Sequence, residues 1–297
     1  MYNCFYKKRK DVMVKNMKKL LAVMLAVLML LSAVACSGDT NADDLTAVKP
    51  KGESLVTTFV AETGTYTYDY IDNAHIYITK YEGKDAKHEL VIPATMNDKN
   101  VVAIEDGAFA NLSNITAVTV PASVEKIGEY AFASCKELKT VKLPAGLTEL
   151  EKGAFFGCSA LTTVTFTETD NAKLTAIGEG VFSECSALTS INLPASVKEI
   201  GKGAFFKCSA LTAIALPAGL EKIAQQAFHQ CIALTSVAFP ATLTSCEAAA
   251  FAECTALTQV TFADTANWNV DLSTNAACLE ALLDDFNTAL VKTVPQQ

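Results

Sequence analysis

Residues 193–208 have the sequence Leu-Pro-Ala-Ser-Val-Lys-Glu-Ile-Gly-Lys-Gly-Ala-Phe-Phe-Lys-Cys, and variants of this stretch recur along the 297-residue chain. The apolar residue that starts each unit recurs at steps of 23, 23, 27, 23, 23 and 23, at Ile115, Leu138, Leu161, Leu188, Leu211, Leu234 and Leu257. A fixed period of this length is typical of a solenoid, in which each unit covers the apolar face of its neighbour. The sequence therefore predicts a stack of similar coils.

Each unit begins with an alternating apolar stretch that ends at a proline, as in residues 188–194. Alternation with period two predicts a short strand, and proline ends it. Apolar residues such as Val197, Ile200 and Phe205 then return the chain to the core. We expect one sheet of short parallel strands, joined by irregular or short-helical arcs, with the 27-residue step accommodated as a loop bulge.

The unit at 193–208 resembles the repeat of the BspA-like leucine-rich-repeat surface proteins of bacteria, and the resemblance extends from about Tyr66 to Trp268. It implies an α/β-type leucine-rich-repeat solenoid, exported or displayed on a surface and used for adhesion or ligand binding. The resemblance implies no catalytic residue.

The two ends of the repeat region have patterns that are typical of caps. Thr65–Tyr70 and Ile76–Ile78, with a turn at Asp72-Asn73, predict a β-hairpin over the first coil. At the other end an apolar helical face predicts a helix that covers the last coil, formed by Leu279, Leu282, Leu283, Phe286 and Leu290. We divide the chain into a signal peptide (1–35), a polar spacer (36–64), an N-terminal β cap (65–87), a solenoid of about seven or eight coils (88–262), and a capping helix and tail (263–297).

The N-terminal segment predicts export. Lysines precede an apolar run, residues 20–31, that is followed by small residues; this pattern is typical of a signal peptide and is too short to span a membrane. Ala33-Val34-Ala35-Cys36 resembles the end of a bacterial lipoprotein signal, which implies that Cys36 is lipidated and becomes the new N-terminus. The alternative is a soluble secreted protein, cleaved near Ala35. Met17 is a candidate for the true start.

Charge disfavours nucleic-acid and nucleotide partners. The chain has a net charge of −8, and residues 1–35 hold seven of the 24 basic and one of the 32 acidic residues, so the remainder carries −14. Arg9 is the only arginine in the chain. Negative charge repels phosphates, and arginine is the usual residue for two-pronged phosphate binding.

Cysteine, histidine and glycine patterns give no catalytic or metal site. Six cysteines share the repeat period, which predicts one row of buried thiols in the core, with disulfides or a metal site as the alternatives: Cys135, Cys158, Cys185, Cys208, Cys231 and Cys254. We interpret His75, His88 and His229 as surface residues without zinc spacing, and Cys246 as a core residue. The paired glycines at 178–180 and 201–203 lack a third glycine and a following helix. We therefore expect neither an enzyme nor a bound cofactor.

One exposed row of polar residues is the candidate ligand face. It consists of Thr162, Thr189, Thr212, Thr235 and Thr258, with Lys139 and Lys142. Threonine suits an exposed parallel strand, so the row has either a structural role or a binding role. We predict a non-enzymatic surface lipoprotein that binds an extracellular protein or glycan; the alternative is a structural or envelope-assembly lipoprotein without an external ligand.

Overall fold

The computed structural model of the chain describes residues 57–84, 86–167, 171–247 and 249–263. These residues form 17 strands joined by turns and contain no α-helix. The predicted signal peptide, residues 36–56 of the predicted spacer with Cys36, and the predicted C-terminal helix lie outside the described residues. Within the part that the structure describes, no helix is long and apolar enough to cross a membrane.

An antiparallel sheet covers the first coil. Strand β1 (Thr57–Val60), which precedes the predicted start of the cap, pairs with β2 (Gly64–Tyr70). β2 forms the predicted hairpin with β3 (His75–Gly83). The turn is fixed by Asp72, whose Oδ1 accepts two backbone hydrogen bonds at 2.7 and 2.8 Å. β3 also pairs in parallel with β6 (Lys99–Ile104), so the cap continues directly into the stack.

A first strand row runs along the coils, and its pairings are parallel. Its members are β4 (His88–Val91), β7 (Ile115–Thr119), β9 (Thr140–Leu143), β11 (Thr163–Phe166), β15 (Ser236–Phe239) and β17 (Gln259–Phe262). Thr140 pairs with Thr163 and Ser236 with Gln259, so the register in these pairs is one 23-residue unit. Coils between β11 and β15 contribute isolated bridges, such as that of Asn192 with Ala215.

A second strand row shows that the prediction of a single sheet is wrong. It consists of β6, β8 (Lys126–Ile127), β10 (Glu149–Leu150), β12 (Ala176–Ile177), β13 (Glu199–Ile200), β14 (Lys222–Ile223) and β16 (Ser245–Cys246), and β5 (Thr95–Met96) pairs antiparallel with β6. From β8 onward each strand has only two residues. Two residues are too few for an alternating pattern to be visible in the sequence.

The predicted short-helical arcs are turns. Gly203 and Lys207 have positive φ angles of 58° and 59°, and left-handed residues four positions apart interrupt a right-handed helix. Along each arc, backbone N–H groups donate alternately to a carbonyl of the next coil and to a carbonyl of their own coil. The amide of Phe205 donates to the carbonyl of Ala227 at 2.7 Å, and that of Phe206 to the carbonyl of Gly203 at 3.0 Å. Pairing between coils therefore continues through the arcs.

The centre of the core is a stack of phenylalanine rings, one from each coil. The rings are those of Phe109, Phe132, Phe155, Phe182, Phe205, Phe228 and Phe251. Neighbouring ring centroids are 4.8 to 5.7 Å apart, and neighbouring planes lie within 19° of parallel. The widest step, from Phe155 to Phe182, crosses the 27-residue unit. The four additional residues of that unit therefore leave the stack continuous.

Candidate ligand-binding face and its supporting rows

The first strand row has one buried and one exposed face. In β11, Val164 and Phe166 face the core, whereas Thr163 and Thr165 face solvent. Every predicted face residue is exposed and lies in this row or within three residues before one of its strands or bridges: Lys139, Lys142, Thr162, Thr189, Thr212, Thr235 and Thr258. We call these seven residues the threonine face. The structure thus places them together on one side of the solenoid.

The threonine hydroxyls connect neighbouring coils, which the sequence analysis did not predict. Thr162 Oγ1 donates to the carbonyl of Lys139 at 3.1 Å. Thr212 and Thr235 donate in the same way to the carbonyls of Thr189 and Thr212, each at 3.2 Å. A hydroxyl has one donor and two acceptor lone pairs. The hydroxyl oxygens of these exposed threonines therefore keep lone pairs that can accept further hydrogen bonds.

The periodic cysteines form a buried row beneath the arcs. All six are free and buried, which confirms the prediction of packing thiols. Each thiol donates to a phenylalanine carbonyl of the preceding coil; for example, Cys208 Sγ lies 3.1 Å from the carbonyl oxygen of Phe182 and Cys231 Sγ 3.2 Å from that of Phe205. Cys246 differs, because it is buried as predicted but is bonded in a disulfide.

Burial and neighbouring thiols raise the pKa of several of these cysteines. Burial, which disfavours the thiolate, raises the pKa of Cys185 and Cys208. A hydrogen bond with the adjacent thiol, and burial after it, raise the pKa of Cys158 and Cys231. Reactive cysteines have a lowered pKa. The row is therefore suited to packing and not to nucleophilic chemistry.

Ion pairs cover the second strand row. Lys222 Nζ lies 3.1 Å from Glu199 and 3.2 Å from Glu247, one coil away on each side. Lys126 Nζ lies 2.9 Å from Glu151. These hydrogen bonds raise the pKa of both lysines. The groups are solvated, so this surface is a charged rim whose ion pairs contribute little to stability.

His229 corrects the interpretation of the histidines as surface residues. Its side chain is only 15% exposed, and its ring stacks on that of Phe206 with the centroids 5.3 Å apart. His88 is half-buried and lies 3.1 Å from the hydroxyl of Tyr81, and the side chain of His75 is 42% exposed. Within the described ranges, no three His, Cys, Asp or Glu side chains are grouped so that they could hold a metal ion.

Two rows of short parallel strands, a phenylalanine stack and a cysteine row define a parallel β-solenoid of the leucine-rich-repeat type. The chain belongs to the BspA-type leucine-rich repeat family, whose model matches residues 102–209 and 170–276. This match confirms the predicted family.

Two solved structures place the chain among bacterial relatives. A leucine-rich repeat protein of T. pallidum is 34% identical, with a TM-score of 0.58, and the match covers 65% of this chain and 87% of that chain. A leucine-rich cell surface protein of Faecalibacterium prausnitzii A2-165 is 26% identical, with a TM-score of 0.56. That match covers 70% of this chain and 55% of that chain, so this chain spans about half of that relative. No curated protein matches the chain.

Proposed function

We propose that this protein is a non-enzymatic binding module that is displayed on the bacterial cell surface and anchored there by a lipid on Cys36. The observation that carries the proposal is the exposed threonine face on a solenoid of the BspA type. The relative from Faecalibacterium prausnitzii is described as a cell surface protein, which supports display at the surface.

The chemistry of the threonine face favours a protein or glycan ligand. Its threonines offer acceptor oxygens and methyl groups in a regular array, and Lys139 and Lys142 add positive charge at one coil. Its seven residues include no Tyr, Trp or Arg, the residues that usually dominate tight interfaces. We therefore expect modest affinity at each site, strengthened where several coils or several molecules bind one ligand.

The test of anchoring and display is the Cys36→Ala variant, compared with wild type in cells fed labelled palmitate and then treated with external protease. We expect wild type to be labelled and digested, and Cys36→Ala to lose the label completely and to lose membrane retention. A lipidated protein has at least two acyl chains, which hold it stably in a membrane, whereas one chain gives only marginal binding.

Two results of this experiment contradict the proposal in different ways. Unlabelled wild-type protein in the medium indicates a secreted soluble solenoid without an anchor. Labelled protein that is fully protected from protease indicates a structural or envelope-assembly role inside the envelope. The six periodic cysteines remain in both proteins and are buried, so a loss of label in Cys36→Ala is assigned to Cys36.

The threonine face is tested with the double variant Thr189→Glu/Thr212→Glu. Arrays of purified proteins and glycans are probed with the fluorescently labelled full-length chain. We expect the variant to lose at least about tenfold in binding to whatever wild type binds, because two charges would be desolvated in the contact.

The matched control is Ala195→Glu/Ala218→Glu, which adds the same charge to the same two coils at exposed turn positions outside the threonine face. We expect this control to bind as wild type does. Equal loss in both double variants would show that charge alone, and not the face, determines binding. An array on which wild type binds nothing contradicts the proposed ligand class.

A further inference from the structure

A second row of side chains lies on the arcs, next to the core phenylalanines. It consists of Ala110, Ala133, Phe156, Ser183, Phe206, His229 and Ala252, and we call it the outer ring row. The rings of Phe206 and His229, in consecutive coils, are 5.3 Å apart and within 11° of parallel. Rings in this row therefore stack from coil to coil, as they do in the core.

Ser183 interrupts this stack between two rings. It stands one coil after Phe156 and one coil before Phe206, and only 6% of it is exposed. In the adjacent core stack, the centroid of the Phe182 ring lies 5.7 Å from that of Phe155 and 5.5 Å from that of Phe205. The outer row therefore lacks a ring at this coil, between Phe156 and Phe206.

The structure has an open depression at this point, which we call the ring slot. Its volume is about 240 Å³, and Phe156, Ser183 and Phe206 line one side of it. An apolar cavity of roughly 150 Å³ is sufficient for benzene. The ring slot is thus large enough for one aromatic side chain.

Glycines form the floor of the ring slot, and Tyr130 closes one end. Gly180 and Gly203 have positive φ angles of 61° and 58° and place no side chain in the space. The ring of Tyr130 lies over Gly153, where an added Cβ would be only 2.4 Å from it. Residues of five successive coils, from Tyr130 to Gln226, line the slot.

The border of the ring slot carries positive charge. Lys152 lies on the wall of the slot and pairs with Glu179 at 3.0 Å. Lys202 lines the same wall, and within the described part of the chain no carboxylate lies within 4.0 Å of its Nζ. Lys207 Nζ lies 5.0 Å from the centroid of the Phe206 ring. Its distance to Glu184 Oε1 is 3.9 Å, which is long for an ion pair. An acidic group on a ligand would complement this border.

We propose that the ring slot binds an aromatic side chain of a partner peptide, and that a carboxylate next to this side chain pairs with Lys202. The inserted ring would stack between Phe156 and Phe206 at the coil spacing, within the 4.5–7 Å that aromatic pairs prefer. The slot lies on the arcs, so the inference goes beyond the threonine face and is independent of the anchor.

The test uses N-acetyl-L-phenylalanine as the probe and the purified full-length chain, with affinity measured by saturation-transfer NMR titration. Ser183→Phe supplies the missing ring from the protein itself, and we expect it to weaken binding at least tenfold. Replacing the probe by N-acetyl-L-phenylalaninamide, or Lys202 by Gln, removes one partner of an exposed ion pair and is expected to weaken binding about threefold.

The matched control is Ala252→Phe, which adds a ring to the same row beyond His229 and is expected to bind the probe as wild type does. If Ser183→Phe fails to fold, Phe206→Ala removes one wall of the slot and is expected to weaken binding by a similar factor. The proposal would be overturned if Ser183→Phe bound the probe as strongly as wild type does. If Phe206→Ala is used instead, the same result for that variant would overturn it. So would Ser183-dependent binding of methyl glucoside as strong as that of the aromatic probe.

Discussion

Replacing Phe205 with alanine is expected to lower the free energy of unfolding by about 3–5 kcal/mol, the usual cost of removing a buried aromatic ring. Phe205 is fully buried, with ring neighbours at 5.5 and 5.1 Å on its two sides. Its loss leaves a cavity that neither neighbour can fill without breaking its own stacking contact. Urea denaturation followed by circular dichroism measures the change.

The neighbouring residue gives a matched control for this prediction. Phe206 has the same side chain but is only half-buried on the arc. Phe206→Ala is therefore expected to cost clearly less than Phe205→Ala. Similar losses for the two variants would mean that the ring stack is not the main source of stability in this part of the solenoid.

Raising the pH above about 8.5, the pKa of an ordinary thiol, is expected to destabilise the protein steeply. The pKa is raised in the folded state for Cys158, Cys185, Cys208 and Cys231. Above the thiol pKa of the unfolded chain, the unfolded state loses protons that the folded state keeps. The stabilisation is fully present below that pH and falls as the pH rises.

The expected size follows from the number of shifted thiols. Each thiol contributes about 1.4 kcal/mol per pH unit, so four contribute between about 5 and 6 kcal/mol per unit. Because a typical domain is stable by about 5–15 kcal/mol, we expect the protein to unfold within about three pH units above pH 8.5. Urea midpoints measured from pH 7 to pH 11 give the slope.

A variant without two of the thiols separates their effect from that of other groups. Cys185→Ala/Cys208→Ala is expected to be less stable at pH 7, since it loses two buried hydrogen bonds to carbonyls. Its stability should nevertheless fall about half as steeply above pH 8.5. Equal slopes in the variant and wild type would assign alkaline unfolding to other groups, such as Tyr66, whose pKa burial also raises.

The repeat made the inward rows predictable from the sequence. Phe205, Cys208 and Leu211 recur in every regular coil, and each is fully buried. A side chain that recurs at the coil period meets the same neighbours one coil above and one coil below, so a single unit indicates the environment of the others. The hairpin cap was predictable for a local reason, because strand alternation and turn residues lie next to each other in the chain.

The arcs were not predictable in this way, because their apolar spacing is compatible with a helix. Ile200, Ala204 and Phe205 would share one face of a helix, yet the backbone turns left-handed at Gly203 and Lys207 and its amides bond to the neighbouring coil. The alternative hydrogen-bond partners exist only once two coils are stacked. The second strand row, with two residues per coil, was unpredictable for the same reason, because its hydrogen bonds also form only between stacked coils.

The sequence by itself determined the period, the buried rows, the cap hairpin and the family, since these depend on patterns within one unit or its immediate neighbours. Only the tertiary structure decided what the polar positions between those rows do. Thr212 donates to a carbonyl that lies 23 residues earlier, and Ser183 lies in a coil between those of Phe156 and Phe206, which line the same slot. Both features are relations between stacked coils, and the stacking that creates them is absent from any single repeat.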